Sequence, residues 1–363
     1  MQLRLPTWLG WPRLDYFLLG MLLFLSIAGL FVLYSASEQD SATIIKQATR
    51  FGIGFTALAI ISQVPTHLFR LWTPWLYGLG VLLLLATWLF GEGRGASRWL
   101  NIGIVRFQPS EIMKLAIPMM IAWYFHSRVL PPSWRDSLVV VGLIAIPATL
   151  IIRQPDLGTA MLVILSGCIT LFLAGLRWRF IAGLALSAAV AAPIVWHFMH
   201  EYQRGRIRTF LNPESDPLGE GWNIIQSTIA AGSGGITGKG WLNGTQSHLE
   251  FLPERSTDFI MAVLAEEFGL IGVTLLLFVY CLIVYRCMVV ASLARDTFGR
   301  LLAGTIGLTF FIYVLVNCGM VAGLLPVVGV PLPLVSYGGT SIVTLLGAFG
   351  LVMSIYGHRR FTR

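Results

Sequence analysis

Apolar runs of about 18 residues or more recur along the chain, and a helix needs roughly 20 residues to cross a hydrocarbon layer. Ten runs stand out, near 14–36, 44–62, 70–90, 110–127, 137–152, 157–174, 180–199, 260–285, 300–323 and 333–356. A chain built this way cannot cover itself with polar surface: 56% of its 363 residues are hydrophobic, 12% are charged, and the mean hydropathy is +0.76. The expectation is an all-α polytopic membrane protein, a single integral domain over 1–363. It has about ten transmembrane helices and one long structured extracytoplasmic loop, 200–258, between helices 7 and 8. Ser35, Ala36 and Ser37 imitate a signal-peptidase site after the first run. That run exceeds the roughly 7 to 15 residues of a cleavable signal core, so it reads as an uncleaved anchor.

The net charge of +8 does not point to nucleic acid, because the basic residues are scattered along short connections between runs. Arg70, Arg128, Arg135, Arg177, Arg286, Arg295 and Arg300 belong to one set of connections, and Lys46, Arg50, Lys114 and Arg153 belong to the opposite, poorer set. The bias places both termini in the cytoplasm and 200–256 outside. Cys168, Cys281, Cys287 and Cys318 fall in or at the ends of apolar runs, without metal spacing, and read as packing residues. The histidines show no paired-ligand spacing, which argues against a zinc site.

A connection as long as 200–258 usually has a task or is disordered. Trp222, Ile224, Ile225, Ile229, Trp241, Leu249 and Phe251 supply enough apolar surface to favour order, and NIIQSTIAAG predicts a short helix ending at Gly232. GSGGITGKG imitates a phosphate-binding loop, but Gly240 stands where Ser or Thr must follow the lysine and no strand precedes it. Its glycines instead permit tight turns and close backbone approach.

A local pattern repeats where runs begin on the outer side: FQPSE, RQPDLG and FLPERSTD each set a proline beside an acid. Proline suits a first helical turn, and an acid there meets the positive end of the helix dipole. Glu111, Asp156 and Asp258 should therefore share one layer at three helix mouths. Each acid alone reads as a helix cap; three together, with cations nearby in sequence, suggest a site, because ionisable groups at membrane depth are partnered or functional. Glu111 and Lys114, three apart, form either a structural pair or a substrate contact. Asp258 closes the long loop where substrate and water can reach it, and its helix-end position should favour the ionised form a general base requires. Arg204, Arg206 and Arg208 alternate as a solvated edge or as a phosphate clamp for an anionic lipid head group. Trp99, Trp222 and Trp241 are interfacial anchors or sugar-stacking platforms.

Four segments together carry a resemblance: GASRWLNIGIVRFQPSEIMKL, RQPDLGTAM, the stretch from YQRGRIRTF through FLPERSTDFIMAVLAEEFG, and VVGVPLPLVSYGGTS. Over nearly the whole chain, in order and spacing, they resemble the shape, elongation, division and sporulation (SEDS) family, closest to its rod-shape branch. The resemblance implies a ten-helix peptidoglycan glycosyltransferase that polymerises lipid II into β-1,4-linked strands at the outer face of the cytoplasmic (inner) membrane. It further implies release of undecaprenyl pyrophosphate and a class B penicillin-binding protein as partner. The family's essential aspartate falls on Asp258, and its other sensitive polar positions fall on Glu111, Lys114, Asp156 and Gln203. Arg98, Trp99, Arg153, Arg204 and Arg208 join them as candidate substrate contacts. Ser256 departs from the histidine often found there. No cofactor is assigned; a divalent cation, magnesium or manganese, stays open as countercharge. Two rivals come from other classes. A lipid transporter would gather its polar residues near the midplane, and a scaffold without chemistry would tolerate loss of Asp258.

Overall fold

The computed structural model describes residues 14–90, 99–101, 106–178, 201–215, 220–245 and 254–358, together with isolated positions in 180–199. The helices in chain order are α1 (Tyr16–Ala36), α2 (Ser41–Gln63), α3 (Thr66–Phe90), α4 (Pro109–His126), α5 (Trp134–Arg153), α6 (Leu157–Leu173), α7 (Glu201–Leu211), α8 (Glu220–Ser233), α9 (Ile260–Leu293), α10 (Thr297–Val321) and α11 (Thr340–Gly357). A two-residue ladder, Leu100–Asn101 against Arg106–Phe107, precedes α4. Seven of these helices, α1, α2, α3, α5, α9, α10 and α11, are long and apolar enough to cross a membrane, so the chain is a multi-pass membrane protein. Most of the seventh expected span, 180–199, lies outside the described residues.

The helix starts follow capping chemistry. Asp15, Asp40, Asp156 and Asp296 each accept a backbone N–H from the first turn that follows, satisfying donors the helix leaves open. Ser133 and Asp136 close a reciprocal capping box on α5. Lys46, Arg50, Lys114 and Arg153, assigned to connecting loops from the sequence, lie inside α2, α4 and α5. These helices run past their apolar stretches, and their polar first and last turns read as loop. In the bundle α2 packs on α11, α3 on α4, α5 on α6, and α9 on α10.

Two irregular segments break this regularity. The first, 322–339, joins α10 to α11 without helix, yet Val327, Val330, Leu332, Leu334, Val335 and Ser336 are buried. Glycines make room for it: a Cβ on Gly29 of α1 would stand 2.4 Å from the Leu334 carbonyl oxygen, and one on Gly158 of α6 would stand 2.4 Å from that of Val328. Non-helical backbone inside a bundle must find hydrogen bonds from protein. Tyr280 of α9 donates to the Pro333 carbonyl (2.7 Å), Gln47 of α2 to Ser336 O (3.0 Å), and Arg50 to Gly338 O (2.9 Å).

The second irregularity lies in α9, where Gly269 has φ 62° and ψ −162°. The glycine-rich loop fills the break: Lys239 N–H and Gly240 N–H donate to the carbonyls of Glu266 and Glu267, both at 3.0 Å. In return Leu270 N–H and Ile271 N–H donate to Gly235 O and Ile236 O at 3.0 and 3.1 Å. Glu266, wholly buried, accepts from Lys239 Nζ (2.7 Å) and Thr245 N–H (2.8 Å). The glycines of GSGGITGKG thus serve close approach to backbone, as their composition suggests. A Cβ on Gly238, whose φ is +79°, would stand 2.1 Å from the Glu267 carbonyl oxygen. Gly238→Ala should therefore destabilise the protein by about 1–3 kcal/mol through overpacking, whereas Gly78→Ala, with nothing within 4 Å of its Cβ, should not. Thermal unfolding of the two purified variants in detergent checks the contrast.

Candidate active site

Asp258 lies in the turn 254–259 just ahead of α9. It does not cap the helix; Phe259 holds that position without a side-chain bond. Backbone ties fix the turn instead. Asn317 Nδ2 of α10 donates to the Asp258 carbonyl at 2.8 Å and to the Val330 carbonyl at 2.8 Å. Ser336 Oγ donates to Thr257 O (2.5 Å), and Tyr337 N–H donates to Ser256 O (2.8 Å). The buried segment 322–339 is therefore the bed on which the aspartate's backbone rests. Arg255 pairs with Glu38 between α1 and α2 and ties the same turn to a third element.

The carboxylate of Asp258 takes part in no hydrogen bond among the described residues. One oxygen faces Gly329, where a Cβ would stand 3.5 Å from Oδ2. Its pKa is raised to about 6, chiefly by burial and then by the like charge of Glu254, with Arg206 opposing both. The helix-end expectation of a favoured ionised form is thus corrected: without first-turn amides to bind, the carboxylate gets little help from the helix, and desolvation wins.

Glu111 and Lys114 form the pair their spacing suggests, Nζ to Oε1 2.7 Å, both largely buried. Lys114 Nζ also lies 5.8 Å from the Tyr313 ring centroid. Asp156 caps α6 through Thr159 N–H (3.2 Å), and its other oxygen accepts Gln108 Nε2 at 3.1 Å. The mouths of α4 and α6 thereby bring Gln108, Glu111, Lys114 and Asp156 together. A cavity of about 80 Å³ opens beside them, lined mainly by apolar side chains of α4, α10, α11 and the 330–338 segment, with Glu111, Lys114 and Tyr313 among its walls. Asp258 does not line it; Val330 and Ser336 do, and the ties described above join both to the aspartate's turn.

The remaining candidates separate. Residues 204, 206 and 208 lie on α7, where 204 and 208, four apart, share a face and 206 points away from it. Arg204 and Arg208 reach Glu201 at 2.9 and 3.6 Å, and Arg204 also donates to the carbonyls of Trp196 and His197. Arg206 is the member whose charge acts on Asp258. Arg153 is exposed, its guanidinium 5.9 Å from the Trp88 ring centroid. Trp99 is exposed at the start of the small ladder. Trp241 stacks on Phe31 at 4.0 Å and donates to its carbonyl, which makes it a brace for the long loop. Arg98 and the side chain of Gln203 lie outside the described residues. Among the described residues no three His, Cys, Asp or Glu side chains gather to hold a metal ion.

Sequence reasoning missed Gln108, Asn317 and Ser336. The signal for Asn317 was present, since an amide inside the apolar run YVLVNCGMV demands a partner.

Known proteins share this arrangement. The family model for FtsW, RodA and SpoVE, described as cell cycle protein, matches residues 12–361. The peptidoglycan glycosyltransferase MrdB of Escherichia coli (strain K12) is 51% identical over 350 residues, 96% of this chain and 95% of that protein. The probable peptidoglycan glycosyltransferase FtsW of Trichlorobacter lovleyi is 37% identical, covering 94% of this chain and 92% of its own. Among solved structures, a chain of a peptidoglycan synthase complex that coordinates polymerization and crosslinking superposes with a TM-score of 0.83 at 30% identity, covering 95% of this chain and 98% of its own. Thermus thermophilus rod shape determining protein RodA superposes at 0.73 with 26% identity, covering 98% and 99%. With the match running across nearly every residue, and with the buried loop and aspartate turn in place, this chain belongs to the FtsW/RodA/SpoVE cell cycle protein family, the SEDS proteins.

Proposed function

We propose that this protein is a peptidoglycan glycosyltransferase that polymerises lipid II at the outer face of the cytoplasmic membrane, with Asp258 as general base. It crosses the membrane ten times with both termini in the cytoplasm, and it works beside a class B penicillin-binding protein. The names and coverage of the relatives support the activity and its setting. The observation that carries the role of Asp258 is a carboxylate raised to about 6 and left without hydrogen bonds on a turn whose backbone is tied down. Such a group is ionised at neutral pH yet more basic than an ordinary carboxylate, which is the poise proton abstraction rewards.

Lipid II carries its sugar on an α-linked pyrophosphate, and the polymer is β-linked, so one inverting displacement suffices. The acceptor's GlcNAc 4-oxygen attacks the MurNAc anomeric carbon, the bond from that carbon to the pyrophosphate breaks, and Asp258 receives the hydroxyl proton. Undecaprenyl pyrophosphate leaves with the electron pair and needs countercharge. Arg206, whose field already reaches Asp258, is the cation we assign to it. Lys114 is neutralised by Glu111 and shapes the cavity instead. A divalent ion carried on the pyrophosphate would need only one or two protein carboxylates and would add to that countercharge.

Asp258→Asn should leave the protein folded and membrane-inserted while lowering polymerisation by about 10²- to 10⁴-fold. Labelled lipid II with purified protein provides the readout, and near-normal strand synthesis would refute the role. The rate should fall tenfold for each pH unit below about 6, because only the ionised carboxylate accepts the proton. Glu254→Gln removes a like charge and should move this acid limb to lower pH, whereas Arg206→Gln should move it higher. For the buried pair, Glu111→Gln alone should cost about 3–5 kcal/mol of stability, and joint replacement of Glu111 and Lys114 by Gln and Met should restore most of it. Thermal midpoints of the three proteins decide that comparison.

A further inference from the structure

Asn317 sits wholly buried near the end of α10, among apolar neighbours. Its amide orientation is unambiguous, because a single atom, Nδ2, lies 2.8 Å from two carbonyl oxygens, and only the nitrogen end can donate. Those oxygens belong to Asp258 and Val330, which come from different segments. The other end of the amide, Oδ1, has no partner among the described residues. A leucine here would fill similar space without burying an unmatched acceptor, so helix packing does not account for this residue. What Asn317 alone supplies is a two-pronged donor that locks the turn before α9 to the buried 322–339 segment.

The location of the tie matters more than its presence. Hydrogen bonds to the carbonyls of residues 257 and 258, from Ser336 Oγ and Asn317 Nδ2, lie on either side of the Asp258 Cα and fix the peptide planes from which its side chain projects. The same segment presents Val330, Leu332 and Ser336 to the cavity. The geometry points to Asn317 as a positioning residue for Asp258, holding the general base in register with the wall of the intramembrane cavity. It touches neither sugar nor pyrophosphate and acts only through the aspartate's backbone. This inference rests on the assignment of Asp258 as the base.

A positioning role predicts a specific kinetic pattern in Asn317→Ala. Lipid II polymerisation should show kcat lowered by about 10- to 100-fold with KM changed less than threefold, since an interaction made only in the transition state is lost. The acid limb, set by Asp258 with Glu254 and Arg206 as its charged neighbours, should shift toward the ordinary carboxylate range as the released turn admits water. A purely structural residue would reduce the amount of active protein without moving that limb. Ser336→Ala removes the neighbouring tie with the loss of one oxygen atom, and it decides the matter by the same two readouts should Asn317→Ala fail to yield monodisperse protein. Wild-type kcat with an unshifted limb, or a loss carried by KM alone, overturns the inference. Failure of the base assignment is seen separately, as polymerisation that survives Asp258→Asn.

Discussion

The placement of Asp258 depends on satisfying the backbone of one non-helical segment, 322–339, inside a helical bundle. Its stretch 332–336 is buried, and each unmatched peptide group in an apolar interior costs several kcal/mol. Tyr280, Gln47 and Arg50 answer its carbonyls from α9 and α2, and Asn317 answers Val330 from α10. Gly29 and Gly158 admit it by having no Cβ. Once held, the segment becomes a bed to which the turn carrying Asp258 is bonded at two successive carbonyls, those of Ser256 and Thr257, while Asn317 of α10 takes the third, that of Asp258 itself. The aspartate is placed by hydrogen bonds to its main chain, which leaves its side chain free for chemistry.

The break in α9 solves a related problem. A 34-residue helix is longer than a bilayer requires, and Gly269 interrupts it where the glycine-rich loop can donate to and accept from the exposed peptide groups. Lys239 and Thr245 meet the buried Glu266, so the loop is anchored by charge as well as by backbone. The first turns of α9 are thereby braced by the glycine-rich loop as well. This bracing fixes the glycine-rich stretch 234–240 against α9.

Charge at the site is arranged to leave one group unmatched. Glu111 neutralises Lys114, Asp156 is spent on a helix cap and on Gln108, and Arg204 is spent on Glu201 and two carbonyls. Of the three acids, Asp258 keeps its carboxylate clear of hydrogen bonds among the described residues, with Glu254 and Arg206 as opposing influences. Three acids that look equivalent as helix-mouth residues thus divide into a salt-bridge partner, a cap and the carboxylate we propose as base.

The sequence by itself determined the class of protein, because apolar runs of membrane length admit few alternatives, and it placed Glu111, Asp156 and Asp258 at helix mouths through proline and acid spacing. It offered the Glu111–Lys114 pair as one of two readings, since residues three apart on a helix are neighbours, and the structure forms that pair. Local periodicity could not separate Arg206 from Arg204 and Arg208, because the direction of each arginine depends on α7 being helical and on where that helix docks. Nor could it find the bed beneath Asp258: the bonds from Asn317 and Ser336 cross 59 and 79 residues of chain. Those contacts, and the pKa they help to set, were decided only by tertiary structure, because desolvation and backbone satisfaction depend on what surrounds a group in space.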